Sequence, residues 1–345
     1  MSIKPTVMKC DGSVVPEVSI LCPTFNHENY IEDALNGFLI QETNFPFEII
    51  IHDDASTDNT RKILLEWKNR YPDKICLILE AENQFQKRVS VLQKFMLPQA
   101  KGKYIAVCEG DDFWTDPHKL QIQYDAMEAH PEASCCVCDV EEYDNIEQKK
   151  TGKVYCAENI ADSGLIPQPT VIGMILPEYP FQTSGYFFPR SLLLTPENDD
   201  ERLLFSIWMD RAVLLSCACR GGFYYVKKSM SCYRVNVSGS ISTVWSQNAE
   251  VFRSTRKIHI AIYQLFDAAT YGRFHEAVQE VIKHWQLEYD RSVIGQLINE
   301  GKYSALWSKY HGTKAFSLYV PSRVKVAAFL HLLPLFKQIY KRIAR

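Results

Sequence analysis

The sequence predicts an α/β fold, with a mostly parallel sheet flanked by helices. Short apolar runs alternate with helical segments over the first 145 residues, and these runs are apolar throughout rather than at every second position. The first pattern is typical of βαβ units, and the second is typical of a sheet covered on both faces. The 345 residues are 46% hydrophobic and 23% charged, which excludes a disordered or low-complexity protein.

The first elements define the predicted sheet and its ligand edge. A strand over 18–22 ends before Pro23, and an amphipathic helix follows over 29–41 because apolar residues recur there at helical spacing. A second strand, 47–54, runs directly into two aspartates. Further elements follow in chain order: a helix over 60–71, a strand over 75–80, a weakly marked helix over 86–100, a strand over 103–112, a helix over 117–130 and a strand over 134–143.

The pattern is less regular beyond residue 143. Glycines and prolines predict a loop-rich segment over 143–182. A strand over 183–188, a helix over 203–220, a strand over 223–226 and helical structure over 245–310 follow. We therefore expect one domain over residues 1–240 and a helical C-terminal region over 241–345.

The cysteines indicate a reducing environment. There are eleven, an odd number, and the N-terminus lacks the apolar run of a signal peptide, so we expect free thiols and a cytoplasmic protein. Cys135, Cys136 and Cys138 resemble a metal cluster at first sight. No second pair follows at ligand spacing, and we predict that they are buried apolar residues of a strand.

Charge is unevenly distributed along the chain. The formal net charge is only −3, which argues against a general nucleic-acid binder, but no acid follows Glu300 while nine lysines and arginines do. The apolar core of the tail, 326–336, is too short to cross a bilayer. Residues 322–345 could form a basic amphipathic helix on the anionic inner face of a membrane, or a terminal helix packed on the body, and the sequence favours neither.

Acidic residues follow two separate predicted strands. Asp53 and Asp54 follow the first, and Glu109, Asp111 and Asp112 follow the second within the segment EGDDFW. Ligands of parallel α/β sheets bind beyond the carboxyl ends of the strands, so both groups fall at the predicted ligand edge. Solvated turns and helix caps are the alternative interpretation.

The second acidic group predicts a divalent metal site. Three carboxylates within four residues repel one another unless a cation lies among them. Mg²⁺ and Mn²⁺ prefer oxygen ligands and often combine one or two carboxylates with substrate phosphates, and carboxylates alone do not distinguish these two ions. No GxGxxG or GxxxxGK[ST] motif is present, which disfavours a dinucleotide-binding Rossmann domain and a P-loop.

Three segments in this order resemble the family 2 glycosyltransferases of the GT-A fold that act in bacterial polysaccharide assembly. They are VSILCPTFNHENYIEDAL, FEIIIHDDASTDNT and GKYIAVCEGDDFWTDPHKL, and the resemblance is strong over about residues 17–142. It implies a GT-A sheet, a helical C-terminal extension and a nucleotide-sugar donor, with UDP-sugars the expected class.

The resemblance assigns a donor site residue by residue. Asp54 matches the acid that contacts the uracil or ribose, and Asp53 supports it. Pro23 and Phe25 match the floor on which the base stacks. The family more often has tyrosine at the position of Phe25, so stacking is retained and a hydroxyl contact is lost. The segment 82–90 lacks the glycines that are usual there.

The resemblance also assigns the metal site. Asp111 and Asp112 match the metal-linked pair, with Asp112 the direct ligand and Asp111 also on the donor side. Glu109 occupies the position of a further acid of the motif. The implied cofactor is Mn²⁺ or Mg²⁺.

The resemblance places the catalytic base at Asp210. In relatives an aspartate heads a helix that is followed by a glycine, a strand and Tyr-Arg-Val, and here DRAVLLSCACRGGFYYV precedes CYRV. The usual tryptophan after the aspartate is Arg211. A salt bridge of Asp210 with a nearby arginine is the alternative, and one acid of the run 199–201 could replace it as the base.

These assignments imply an inverting, metal-dependent glycosyltransferase. One base and one metal allow a single in-line displacement, with a glycan or lipid-linked saccharide as the acceptor. Two alternatives remain. One is an inactive donor-binding scaffold of a polysaccharide complex. The other is a sugar nucleotidyltransferase, which would need a glycine-rich basic loop where PTFNHENY stands.

Overall fold

The computed structural model describes residues 4–10, 14–207, 210–237, 240 and 248–330. Its strands, in chain order, are β1 (Thr6–Met8), β2 (Val18–Thr24), β3 (Phe47–Asp53), β4 (Ile75–Leu79), β5 (Tyr104–Val107), β6 (Phe113–Trp114), β7 (Cys135–Asp144), β8 (Lys149–Tyr155), β9 (Gly164–Ile166), β10 (Phe187–Pro189) and β11 (Phe223–Val235).

The strands form one mixed sheet in which six share a direction. The order is β1-β4-β3-β2-β5-β10-β7-β11-β6, with β8 beside β7 and β9 beside β11. Strands β4, β3, β2 and β5 pair in parallel, as do β7 and β11. Because β10 is antiparallel to both β5 and β7, these two parallel groups point the same way. Their carboxyl ends therefore open on one edge, as the predicted fold class requires.

The helices cover this sheet and continue beyond it. They are α1 (Ile31–Leu39), α2 (Thr60–Arg70), α3 (Lys119–Ala129), α4 (Gln168–Ile175), α5 (Arg190–Leu194), α6 (Asp199–Ser206), α7 (Asp210–Arg220), α8 (Ala249–Ala269), α9 (His275–Asn299), α10 (Tyr303–Tyr310), α11 (Lys314–Tyr319) and α12 (Ser322–Leu330). The mixed sheet with flanking and C-terminal helices matches the GT-A architecture.

The core explains why the strands are apolar along their whole length. Every residue of β3 and β4 is buried. Helix α1 buries Ile31, Leu35 and Phe38, the stripe that its spacing predicts. The cysteines of β7, including Cys136, are also buried, as predicted for a strand interior, and none of the chain's eleven cysteines forms a disulfide.

Several predicted elements differ from the structure. The predicted helix 203–220 is wrong as one element, because it is divided into α6 and α7 where Ile207 is extended, with ψ of 134°. The predicted strand 183–188 begins as a 3-10 turn, Thr183–Gly185, before β10. The weak helix 86–100 is reduced to one π-helical turn, Leu92–Met96. The segment predicted as loop-rich over 143–182 contains β8, β9 and α4.

The chain folds into two compact units. One holds residues up to 240 together with 265–274, and the other holds 241–264 and the residues from 275 onward. The second unit is helical and has its own apolar core, centred on Ile294, Leu306 and Phe316. No helix among the described residues is long and apolar enough to span a membrane. Most of the basic tail 322–345, for which membrane binding and packing on the body are both open, lies outside the described residues, at 331–345.

Candidate functional site

The loops after β2 and β3 are joined by hydrogen bonds between side chains and backbone. The Asn26 carboxamide oxygen accepts from the backbone N–H of Thr57 at 2.8 Å, and Ser56 Oγ accepts from the N–H of Asn26 at 2.9 Å. Asp58 Oδ2 accepts from the N–H of Glu28 at 3.0 Å. Ser56 and Asp58 of the segment DDASTD therefore fix the loop that carries the predicted floor for the base.

Asp53 and Asp54 have different partners although they are adjacent. Asp53 is fully buried at the end of β3 and pairs with Arg61 of α2, whose Nη2 lies 2.6 Å from Asp53 Oδ2. The carboxylate of Asp54 accepts from the backbone N–H groups of Gln84 at 2.7 Å and Phe85 at 3.0 Å. Asp53 is thus neutralised by a cation, while Asp54 fixes the loop after β4.

The predicted donor residues come together at this edge. Parallel pairing sets Thr24 of β2 opposite Asp53 of β3, so Phe25 and Asp54 follow neighbouring strand ends. The ring of Phe25 is 37% exposed, which leaves it accessible for stacking. Each carboxylate oxygen has more than one acceptor site, so Asp54 can still accept from a ligand.

The acidic loop after β5 brings three carboxylates together, and the imidazole Nε2 of His27 lies 3.8 Å from Asp111 Oδ2. Asp112 is 1% exposed, and its Oδ1 accepts from the backbone N–H of Arg234 at 2.9 Å. Its Oδ2 has no hydrogen-bond partner among the described residues. Burial and then the charge of Asp111 raise the pKa of the Asp112 carboxyl. Burial, followed by the charges of Asp112, Asp111 and Asp210, raises the pKa of Glu109.

Arg234 holds this loop through its backbone N–H, which donates to the Asp112 carboxylate, and through its side chain. Its Nε donates to the carbonyl oxygen of Asp111 at 2.8 Å, and its Nη2 donates to the Asp33 carboxylate of α1 at 2.7 Å. Three aromatic rings enclose the guanidinium at 4.8–5.2 Å from their centroids: Tyr30, Phe113 and Tyr143. Burial and the charge of Asp111 raise the pKa of Asp112 by more than the charge of Arg234 lowers it.

The acidic loop suits a divalent cation that is held mainly by the phosphates of a bound substrate. Within the ranges that the structure describes, no three His, Cys, Asp or Glu groups converge on a metal position. Mg²⁺ and Mn²⁺ do not need such a cage, because they commonly take one or two carboxylates together with substrate phosphates. A buried carboxylate oxygen without a partner is the kind of group that such an ion would satisfy.

Asp210 lies near this loop as the first residue of α7. Its Oδ1 accepts from the backbone N–H of Arg211 at 2.7 Å, and its Oδ2 accepts from the Tyr179 hydroxyl at 2.6 Å. Its charge contributes to the raised pKa of Glu109, so the two acids are electrostatic neighbours. A backbone N–H at the start of the helix and a phenol therefore hold the two oxygens of this carboxylate.

Two of the three acids at 199–201, Asp199 and Glu201, pair with arginines. Glu201 is buried and pairs with Arg220, with 2.5 Å between its Oε1 and the arginine Nε. Asp199 is exposed and pairs with Arg202 within α6. All three lie in the first turn of α6, where negative charge stabilises a helix.

The sequence model of glycosyl transferase family 2 matches residues 19–191, half of the chain. The chain belongs to this family. An uncharacterised protein of Mycobacterium tuberculosis is 46% identical over 121 residues, which are 34% of each chain, so the match covers about a third of that relative. A putative teichuronic acid biosynthesis glycosyltransferase of Bacillus subtilis, TuaG, is 35% identical over 32% of this chain and 42% of its own length.

This family 2 chain also resembles a solved structure over most of its length. TarS of S. aureus, residues 1–349 in complex with UDP, has a TM-score of 0.52 at 17% identity. The superposition covers 92% of this chain and 81% of that one. At this identity the likeness establishes the fold, and it agrees with the GT-A fold that the sequence motifs predict.

Several residues of this family 2 site were not identified from the sequence. Arg61 lies eight positions after Asp53, a spacing without a recognisable pattern. Tyr179 comes from the segment predicted as loop-rich. Arg234 lies within CYRV, and its position in that segment is the available signal. Tyr179 and Arg234 act through contacts between segments distant in sequence.

Proposed function

We propose that this protein is an inverting glycosyltransferase that transfers a hexose from a UDP-sugar to a hydroxyl of a glycan or lipid-linked saccharide. One observation supports this function most directly. The carboxylates of Glu109, Asp111 and Asp112 lie beyond the carboxyl ends of the parallel strands, burial raises the pKa of Glu109 and Asp112, and Asp210 is an electrostatic neighbour of Glu109. A cation-dependent site for a phosphorylated donor beside a carboxylate base follows from this arrangement.

The residues divide between donor binding and proton transfer. Phe25 and Pro23 stack on the base, and Asp54 accepts hydrogen bonds from the nucleoside. Asp210 accepts the proton of the acceptor hydroxyl while that oxygen bonds to the anomeric carbon. The bond from that carbon to the phosphate oxygen breaks, and the nucleoside diphosphate leaves with the electron pair. A single displacement of this kind converts an α-linked donor into a β-linked product.

Asp112 would hold the divalent metal, with Asp111 beside it and Glu109 as a further ligand. When bound, Mn²⁺ or Mg²⁺ neutralises the charge that develops on the leaving diphosphate. The buried, partnerless oxygen of Asp112 supports this assignment.

The relatives favour a uridine nucleotide and a cell-surface polymer. TarS was solved with UDP and with UDP-GlcNAc. An Escherichia coli relative, 32% identical over 32% of this chain and 40% of its own, is a glucosyltransferase that uses UDP-glucose and GlcNAc-diphosphoundecaprenol. These ligands define the first substrates to test here.

Nucleotide binding is the first test. Thermal unfolding would be followed with UDP, GDP, CMP or TDP, each with and without Mn²⁺, for the wild type and Asp112→Ala. A ligand at 100 times its dissociation constant adds about 2.7 kcal/mol to the free energy of unfolding. We expect UDP with Mn²⁺ to stabilise the wild type and Asp125→Ala, a control that removes an exposed acid of α3, but not Asp112→Ala. Absence of any nucleotide effect on the wild type would refute the donor site.

Turnover is the second test. Release of UDP from UDP-glucose and UDP-GlcNAc would be measured with a GlcNAc-diphosphate lipid as acceptor and with water alone. We expect acceptor-dependent release by the wild type. Asp210→Asn should bind UDP normally but retain only a residual rate of transfer, since an amide cannot accept the proton. UDP binding without turnover in the wild type would instead favour the scaffold alternative.

We propose that residues 1–240 carry this chemistry and that 241–345 form the helical C-terminal region. Membrane contact through residues 322–345 is a separate proposal. It predicts that deletion of this segment lowers binding to vesicles containing anionic lipid, measured by sedimentation. Equal binding with and without the segment would refute it.

A further inference from the structure

A chain of two phenols ends on the carboxylate of Asp210. The Tyr186 hydroxyl donates to the Tyr179 hydroxyl at 2.7 Å, and the Tyr179 hydroxyl donates to Asp210 Oδ2 at 2.6 Å. Tyr186 is 1% exposed and precedes β10, so it is fixed by the sheet, whereas Tyr179 lies in the loop between α4 and Phe181. The sheet is therefore linked to the proposed base through Tyr179 in this loop.

Arg211 fixes the loop that supplies Tyr179. Its guanidinium donates to the backbone carbonyls of Ile175 at 3.3 Å and Glu178 at 3.4 Å. The same guanidinium lies 4.7 Å from the centroid of the Tyr179 ring. Arg211 is buried and stands where the family pattern usually has tryptophan. Planar stacking with several donors suits arginine better than lysine at such a position.

These contacts leave little freedom to the carboxylate of Asp210. An aspartate at the start of a helix could otherwise rotate about both side-chain torsions. Here Oδ1 accepts from the N–H of Arg211, and Oδ2 accepts from the Tyr179 hydroxyl at 2.6 Å and more weakly from the Thr183 hydroxyl at 3.5 Å. Oδ1 retains an acceptor site, so the group can still take a proton.

We propose that Tyr179, supported by Tyr186 and held by Arg211, is a positioning residue that orients the Asp210 carboxylate toward the acceptor hydroxyl. This inference rests on the proposed function, because it requires Asp210 to be the base. Displacement of a catalytic group by about 1 Å can cost about a hundredfold in rate. The loss of the phenol should therefore lower turnover without weakening donor binding.

The test uses a substitution that removes only the hydroxyl. Tyr179→Phe keeps the ring over Arg211, and we expect kcat for UDP release with the GlcNAc-diphosphate lipid to fall about tenfold to a hundredfold. The KM for the donor and the thermal stabilisation by UDP with Mn²⁺ should be unchanged. Tyr104→Phe is the matched control. Tyr104 lies at the amino end of β5, and its hydroxyl donates to Glu128 at a distance of 2.7 Å. The kcat of this variant should equal that of the wild type.

A double-mutant cycle separates this role from a general structural one. If Tyr179 acts through Asp210, Tyr179→Phe should cause no further loss in the Asp210→Asn background. An equal fractional loss in both backgrounds, or a wild-type kcat for Tyr179→Phe, would overturn the inference and leave the proposed function intact. Full turnover by Asp210→Asn would remove Asp210 as the base and this inference with it.

Discussion

Substitution of Gly110 by alanine should separate the acidic loop from the floor of the donor site. Gly110 lies between Glu109 and Asp111, and its N–H donates to the carbonyl of Pro23 at 3.0 Å. An added Cβ would lie 2.7 Å from Thr24 Oγ1 and 2.9 Å from His27 Nδ1. Carbon atoms normally remain about 3.5 Å or more from such neighbours, so one of the two segments must move by several tenths of an ångström.

The expected cost follows from the position of these atoms. Thr24 belongs to the central strand β2 and cannot yield as a flexible side chain would. Overpacking in a dense region typically costs about 1–3 kcal/mol, and we expect about 2 kcal/mol here. We also expect the stabilisation by UDP with Mn²⁺ to be at least halved, because the loop that carries Asp112 moves away from the loop that carries Phe25.

The free energy of unfolding would be measured by urea unfolding. The stabilisation by ligand would be measured by thermal unfolding with and without UDP and Mn²⁺. Gly173→Ala is the matched control, because Gly173 is an exposed residue of α4 with nothing within 4 Å of an added Cβ. That control should gain about 0.5–1 kcal/mol from helix propensity. A Gly110→Ala variant with wild-type stability and wild-type response to UDP and Mn²⁺ would refute the tight contact between the two loops.

Three further substitutions test the charges of the site. Arg61→Met leaves the buried Asp53 unpaired and should lower the free energy of unfolding in urea by about 2–3 kcal/mol, a figure that allows for the exposure of Arg61. Arg202→Met is the control, and it should lower the free energy of unfolding by less than about 0.5 kcal/mol. Asp112→Asn should stabilise the protein in EDTA. Because burial raises the pKa of Asp112, folding favours its protonated form, so the gain in melting temperature should be present at pH 8 and vanish near pH 3, below the pKa of an aspartate in the unfolded chain. Equal melting temperatures of the two proteins at pH 8 would contradict this. Arg234→Lys removes the hydrogen bond to the Asp111 carbonyl and should reduce the thermal stabilisation by UDP with Mn²⁺. An unchanged stabilisation would exclude a role for Arg234 in holding the loop.

The sequence predicts those parts of the structure that depend on local pattern. Strands such as 47–54 are identified because they are apolar and end in acids, and α1 is identified by its apolar spacing. The resemblance also brings together residues from three segments, including Phe25, Asp54 and Asp112. These residues lie at one edge because strand direction alone sends the ends of parallel strands there.

The remaining features depend on contacts across long stretches of chain. Asp112 and Arg234 are 122 positions apart, and Asp210 and Tyr179 are 31 apart, so neither pair leaves a local pattern. The break between α6 and α7 was missed because both helices are apolar enough to appear as one. Propensity does not show that Ile207 is extended.

The late position of β11 has a consequence for the order of folding. Strands β2 to β5 pair through neighbouring βαβ units. The parallel partner of β7 is β11, whose first residue comes more than 80 positions after the first residue of β7. During synthesis the half of the sheet that binds the nucleotide can therefore form first, before the N–H of Arg234 reaches Asp112. A nascent chain released before residue 235 would carry the base-binding half with an unsupported acidic loop. The completed acidic loop thus serves as a marker that the pairing of β7 with β11 has formed.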